Sequence, residues 1–189
     1  MNRLANRLHR WRAMTLLVLG CRDAALQLFN AMCRCWPDDV HALASRTHLL
    51  MQLGRVEEAL QDSRRLVVLR PDEAGTWFNH GYVLEAAGRW EDALAAFLRA
   101  TELGPQLDRA WYGLGLVLIR LRRYDEAVPA LQRNTELQPQ SPYGWYQLAR
   151  VHVDMNEPAA AAKIIRHLHG FEPKVAAQLA REIGFPAPV

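Results

Sequence analysis

Three observations predict an all-α fold built from repeated helix pairs. Prolines recur every 34 residues at Pro37, Pro71, Pro105, Pro139 and Pro173. Alanine keeps the same period at Ala25, Ala59, Ala93, Ala127 and Ala161. Between these markers apolar residues recur at three- and four-residue steps, as in Trp111, Leu114, Leu118 and Leu121 and then Tyr124, Ala127, Val128 and Leu131. Nothing alternates with period two over a useful length, so no sheet is expected. Among 189 residues 50% are hydrophobic, enough for a packed core, and 23% charged is far from the composition of a disordered chain.

Setting each proline at position 32 of a unit gives repeats at 6–39, 40–73, 74–107, 108–141 and 142–175, with a capping helix and tail over 176–189 in a single domain of residues 1–189. The alanine at position 20 lets two helices cross closely. Position 8 is small in Ala13, Gly81, Gly115 and Ala149 and is expected to face position 20 across the pair. Position 4 carries Trp77, Trp111 and Trp145, read as core anchors. Position 15 is Gly20, Gly54 and Gly88, then Arg122 and Asn156, where the first helix of each unit must end in a left-handed turn.

The first unit differs in composition. Residues 1–36 hold Arg3, Arg7, Arg10, Arg12, Arg22 and Arg34 against the single acid Asp23. All three cysteines, Cys21, Cys33 and Cys35, lie there too, and an odd number confined to one segment is not a disulfide framework. A reducing, cytoplasmic setting is expected. On a helix, residues two apart point about 200° from one another, so neither Cys33 and Cys35 nor His167 and His169 chelate one ion. The cysteines are read as core packing at positions 28 and 30. The sequence holds no glycine-rich phosphate loop, no G-x-S-x-G and no H-E-x-x-H, so no catalytic residue, metal site or cofactor is expected.

The third unit, AGTWFNHGYVLEAAGRWEDALAAFLRATELGP, carries Trp77, Gly81, Leu84, Ala93, Phe97, Ala100 and Pro105 in columns that make it resemble the tetratricopeptide repeat (TPR) family. The resemblance spans residues 6–175, with 174–183 as a terminal helix. It implies a right-handed superhelical solenoid of antiparallel helix pairs, each unit leaning on its neighbours, with the first helix of every pair on the concave side. It implies a non-catalytic adaptor that binds a peptide or helix of a partner protein. The family's groove columns fall here on Phe78, Asn79, Tyr82, Glu85, Arg109, Tyr112, Tyr143, Tyr146, Gln147 and Arg150, and aromatic rings with arginines are the residue types of binding hot spots. Position 7 departs from the family's leucine as Arg12, Arg46 and His80, and position 11 departs as His152. The family's Lys, Asn and Arg carboxylate clamp is represented only by Asn79 and Arg109.

Two further readings stand beside the adaptor. The exposed ends or groove of a helical array can hold a second copy, giving a self-assembling scaffold. Alternatively, Arg3, Arg7, Arg10 and Arg12 followed by the apolar stretch Ala13 to Leu19 and then Gly20-Cys21 look like a lipoprotein signal, which would make the chain an envelope-anchored assembly factor lipidated at Cys21. The same residues fall in register with the first repeat, and Leu19 is a poor residue before a lipobox glycine. No apolar run approaches the roughly 20 residues of a membrane-spanning helix. Arg64-Arg65 and Arg120, Arg122 and Arg123 are interrupted by Asp62, Asp125 and Glu126 without an aromatic platform, so nucleic acid is not an expected partner. Arginine outnumbers lysine by 21 to 2, the usage of a GC-rich bacterial genome.

Overall fold

The structure, a computed structural model, describes residues 3–184, and the predicted tail beyond residue 184 lies outside them. Eleven helices occupy the described residues: α1 (Arg3–Val18), α2 (Arg22–Cys35), α3 (Val40–Gln52), α4 (Val56–Leu69), α5 (Ala74–Ala86), α6 (Trp90–Leu103), α7 (Asp108–Arg120), α8 (Tyr124–Leu137), α9 (Pro142–Asp154), α10 (Pro158–His169) and α11 (Pro173–Glu182). They fall into two compact units, Met1–Arg89 with α1 to α5 and Trp90–Val189 with α6 to α11. Inside each unit every helix packs on the next in sequence, and in the second unit α9 also touches α7 and α11.

The turn inside each pair is the same five times. Gly20, Gly54, Gly88, Arg122 and Asn156 all have positive φ, between 58° and 75°. The next residue's amide donates back to a carbonyl five residues earlier, as in Cys21 to Leu16, Arg55 to Leu50, Arg89 to Leu84, Arg123 to Leu118 and Glu157 to His152. These are left-handed caps that satisfy the orphan carbonyls of the helix end. Position 20 behaves as predicted: Ala25, Ala59, Ala93, Ala127 and Ala161 are completely buried.

A Cβ on Gly115, at position 8, would lie 2.6 Å from the Leu131 side chain, which is position 24 of the same unit. The large residue at position 24 fills the gap that the small residue opens. Two sequence expectations need correction. First, the tryptophans are half-buried and not core anchors. Each indole lies along the helix surface and donates its Nε1–H to a proline carbonyl of the preceding unit: Trp77 to Pro71 at 2.7 Å, Trp111 to Pro105 at 3.0 Å and Trp145 to Pro139 at 3.0 Å. The tryptophan and proline columns are therefore one device, a polar tip pinning the connection while the ring covers apolar surface. Second, Cys35 is exposed and only Cys33 is partly covered. Burial pushes the Cys33 thiol above its ordinary pKa, the reverse of a reactive thiolate.

Polar residues at position 7 are accommodated by pairing. The Arg46 guanidinium holds Asp62 through two bonds of 2.7 and 2.5 Å and reaches Asn30 at 3.1 Å. The hydrogen bond to Asp62 raises the arginine's pKa further, so this cation stays charged. His80 Nδ1 lies 2.9 Å from the Ser63 hydroxyl, and Ser63 is 1% exposed. Asp62 and Ser63 occupy positions 23 and 24, where the fourth unit has Ala130 and Leu131.

Candidate functional site

The first helices of the second unit build two adjoining clefts. Pro142 opens α9 at its first turn, where its missing N–H and fixed φ suit a helix start. The next turn of α9 then presents Tyr143, Tyr146 and Gln147 toward α7 and α11. Tyr112 from α7, these three residues, Pro142, and Val175 and Gln178 from α11 line a cleft of about 340 Å³. A second cleft of about 520 Å³ is lined by Asp108, Arg109 and Tyr112 of α7, Tyr143 and Ser141 at the start of α9, and Asn134 and Gln138 from α8 and its end. Tyr112 and Tyr143 border both. Tyr143 is 71% exposed, an unusual placement for a ring that serves only packing.

Close approach of α8 to α9 makes this arrangement possible. A Cβ on Gly144 would lie 2.3 Å from Asn134 Oδ1, so only glycine fits there. Asn134 is buried and donates through Nδ2 to the Asp108 carbonyl at 3.0 Å, which fixes the start of α7 beside the cleft.

Tyr146 is held from two sides. Its hydroxyl donates to the Glu182 carboxylate on α11, which also accepts from Gln178 Nε2 at 2.8 Å. The Arg150 guanidinium carbon stands 5.9 Å from the centre of the Tyr146 ring. The shared hydrogen bond keeps Tyr146 protonated to higher pH than an ordinary tyrosine and holds Glu182 below the ordinary carboxylate value. Arginine, tyrosine and amide side chains of this kind recognise carboxylates and peptide groups.

The structure thus brings together Arg109, Tyr112, Tyr143, Tyr146 and Gln147 on α7 and α9. Arg150 is exposed one turn further along α9 and lines neither cleft. Phe78, Asn79, Tyr82 and Glu85 stand on α5 in the other unit, with Asn79 and Tyr82 exposed and Phe78 and Glu85 half-buried. The sequence columns missed Val175, Gln178 and Glu182 for a definable reason. Helix α10 stops at His169, and α11 begins at Pro173, three residues before the 34-residue period would start another unit. Carrying columns forward by period therefore points to the wrong residues of α11.

A third cleft, of about 560 Å³, lies between α8 and α10 with Trp145 and His152 of α9 among its walls. There the His167 ring packs against Trp145 at 4.4 Å, and His152 Nδ1 lies 2.7 Å from a Glu157 carboxylate oxygen. Among the described residues no cluster of histidine, cysteine and carboxylate is arranged to hold a metal ion, and no helix is long and apolar enough to cross a membrane.

With this geometry in hand, comparison with known proteins places the chain. The sequence profile of the tetratricopeptide repeat matches residues 47–108 and again 78–142, together 96 of the 189 residues. The chain belongs to the tetratricopeptide repeat family. No curated protein matches it in sequence. Among solved structures, the TPR fold is similar to a crystal structure of MamA protein, with a TM-score of 0.81, 18% identity and coverage of 95% of this chain and 93% of that one. MamA from Desulfovibrio magneticus RS-1, residue 41 to its end, superimposes with a TM-score of 0.80 at 22% identity, covering 94% and 96%. YrrB, a TPR protein with an unusual peptide-binding site, gives a TM-score of 0.77 at 17% identity, covering 89% and 88%. At these identities the likeness is one of fold. Its columns account for the repeated caps, the buried alanines and the tryptophan–proline bonds of this TPR chain.

Proposed function

We propose that this TPR chain is a non-catalytic adaptor that holds a peptide or helix of a partner protein against α7, α9 and α11. The observation that carries the reading is the pair of adjoining clefts bordered by Tyr112 and Tyr143. Exposed rings with polar tips supply contact area at low entropic cost, and Arg109 at the edge supplies a fixed cation. Membership of a family of interaction modules supports the same reading, as does the fold shared with YrrB, whose peptide-binding site shows that such an array can hold a peptide. Arg150 on α9 completes the proposed contact set of this unit, and Phe78, Asn79, Tyr82 and Glu85 on α5 are proposed as a contact surface of the other unit by itself.

We read the setting as cytoplasmic, a reading that the packing of α1 supports. Ala13 on α1 and Ala25 on α2 are both fully buried. Cleavage before Cys21 would strip α1 from α2, so its packing argues for retention over lipidation. Intact mass of the natively produced protein tests this directly, since a species beginning at lipidated Cys21 would reverse it.

The deciding experiment is a pull-down from the source cell with wild type and a Tyr112→Ala, Tyr143→Ala variant, after circular dichroism has shown equal helicity. A protein held by wild type and released by the variant supports the cleft. Equal retention by both moves the contact to another face, and retention of nothing but the chain itself favours the self-assembling scaffold.

A further inference from the structure

We propose that the outward face of α1 docks on an anionic phospholipid surface. Leu4, Leu8, Trp11 and Val18 are 72%, 59%, 76% and 85% exposed. Their spacing of four, three and seven residues puts them on one side of a helix, with Thr15 between the last two, as a stripe about 21 Å long. Leu19, 69% exposed, extends it into the turn. The opposite side of α1, about 180° away, carries the fully buried Ala13, so the stripe faces away from the rest of its unit.

Charge frames the stripe. At about 100° per residue, Arg7 lies about 60° to one side of Leu4 and Arg12 about 80° to the other, with Arg10 further round. Residues 1–22 contain no aspartate or glutamate, so α1 offers these cations no carboxylate of its own. An apolar stripe with tryptophan at its middle and arginines along both edges is the arrangement of a helix lying in the plane of a bilayer interface. The leucine and valine side chains enter the acyl boundary, the indole rests at headgroup depth, and the arginine stems reach up to lipid phosphates.

The same features disfavour a second copy as the occupant. Two α1 faces packed on one another would set Arg7, Arg10 and Arg12 of one against those of the other, with no acid on either helix to offset them.

Flotation of the full chain with lipid vesicles tests the proposal. Wild type is expected to float with vesicles containing phosphatidylglycerol, to stay behind with phosphatidylcholine alone, and to detach at high salt. Leu8→Glu with Trp11→Glu should abolish flotation. Arg7→Gln with Arg12→Gln, which leaves the stripe intact, should weaken binding by about 25-fold, about fivefold for each arginine near the surface. Circular dichroism establishes that both variants fold, and if the glutamate variant does not, the arginine variant carries the test. Wild type that ignores both vesicles, or binds both equally, overturns the proposal. Sedimentation without lipid adds one more arm: a dimer that dissociates in the Leu8→Glu, Trp11→Glu variant would assign the stripe to self-association instead. So would a protein partner lost from that variant by a chain that never floats assign it to a protein groove.

Discussion

The two compact units fill the same positions of the same repeat by opposite means. Between α3, α4 and α5 the crossing is polar: Arg46 pairs with Asp62 and Asn30, and His80 meets Ser63. Between α6, α7 and α8 it is apolar and tight: a Cβ on Gly113 would lie 2.7 Å from the Phe97 ring, and one on Gly115 2.6 Å from Leu131. Position 24 is the hinge of the comparison, serine in the second unit of the repeat and phenylalanine or leucine in the third and fourth. Where position 24 is large, glycine on the facing helix makes room. Where it is the small, polar Ser63, His80 from position 7 of the next repeat reaches in and meets it, while Arg46 from position 7 of the same repeat pairs with Asp62 at position 23. A buried polar group must be partnered to be tolerated, and these are.

The largest expected effect breaks the polar half. Asp62 is 5% exposed, so Asp62→Ala leaves Arg46 charged and largely covered without its partner, and is expected to destabilise the protein by about 3 kcal/mol. That is the low end for a buried pair, because the Arg46 side chain retains 20% exposure. Replacing both, Arg46→Leu with Asp62→Leu, makes this unit resemble its apolar counterpart and should come within about 1 kcal/mol of wild type or exceed it. Urea unfolding of the two variants measures the difference. Equal losses from single and double variants would mean that the guanidinium was held by water and not by Asp62.

Next in size is overpacking of the glycine half. Gly115→Ala drives a methyl group into Leu131 in a core with no spare volume, and is expected to cost about 1 to 3 kcal/mol despite alanine's better helix propensity. Gly75→Ala on α5 is the control, since a Cβ there meets nothing within 4 Å, and it should be neutral or stabilising by up to ~0.5 kcal/mol. The melting temperature should therefore fall in Gly115→Ala and hold or rise in Gly75→Ala.

These pairs show what was legible in the sequence and what was not. The caps at Gly20, Gly54, Gly88, Arg122 and Asn156 were readable because a left-handed φ restricts one residue locally, and the alanine column because a fully buried crossing admits only a small side chain. The polar substitutions at Arg46 and His80 were visible as departures, but their compensation lies 16 or 17 residues away on another helix, and only packing reveals which partner they meet. Tryptophan misled because its size implies burial while its indole N–H requires a surface carbonyl. For the site, Tyr112, Tyr143, Tyr146 and Gln147 follow the repeat onto one face. Gln178 and Glu182 do not, because α11 leaves the period.

A smaller gain is expected at the fourth cap. Arg122 holds φ of 58°, a conformation that costs a side chain with a Cβ about 1 kcal/mol relative to glycine. Arg122→Gly relieves that strain but frees the unfolded chain, so a net stabilisation of about 0.5 kcal/mol is expected in the same urea assay. Asn156→Gly, at φ of 61°, should change less, since asparagine already tolerates this region.

The smallest effect concerns the edge of the site. Glu182 is depressed below its ordinary value of 4.5, first by the Tyr146 hydroxyl and then by the Gln178 amide. A depressed carboxyl binds fewer protons in the folded state than in the unfolded one, so its contribution is complete above 4.5 and is lost as pH falls through the lower folded value. Because this carboxylate is fully open to solvent, the loss is local: α11 loosens from α9 while the rest of the unit stays folded. Hydrogen exchange across 173–182, corrected for the intrinsic pH dependence of exchange, should accelerate relative to α7 as the solution is acidified below that point. Glu182→Gln keeps an acceptor for the tyrosine but cannot titrate, so its exchange should be raised slightly at neutral pH and lack the acid step. An acid step that survives in Glu182→Gln would move the titrating group elsewhere on α11.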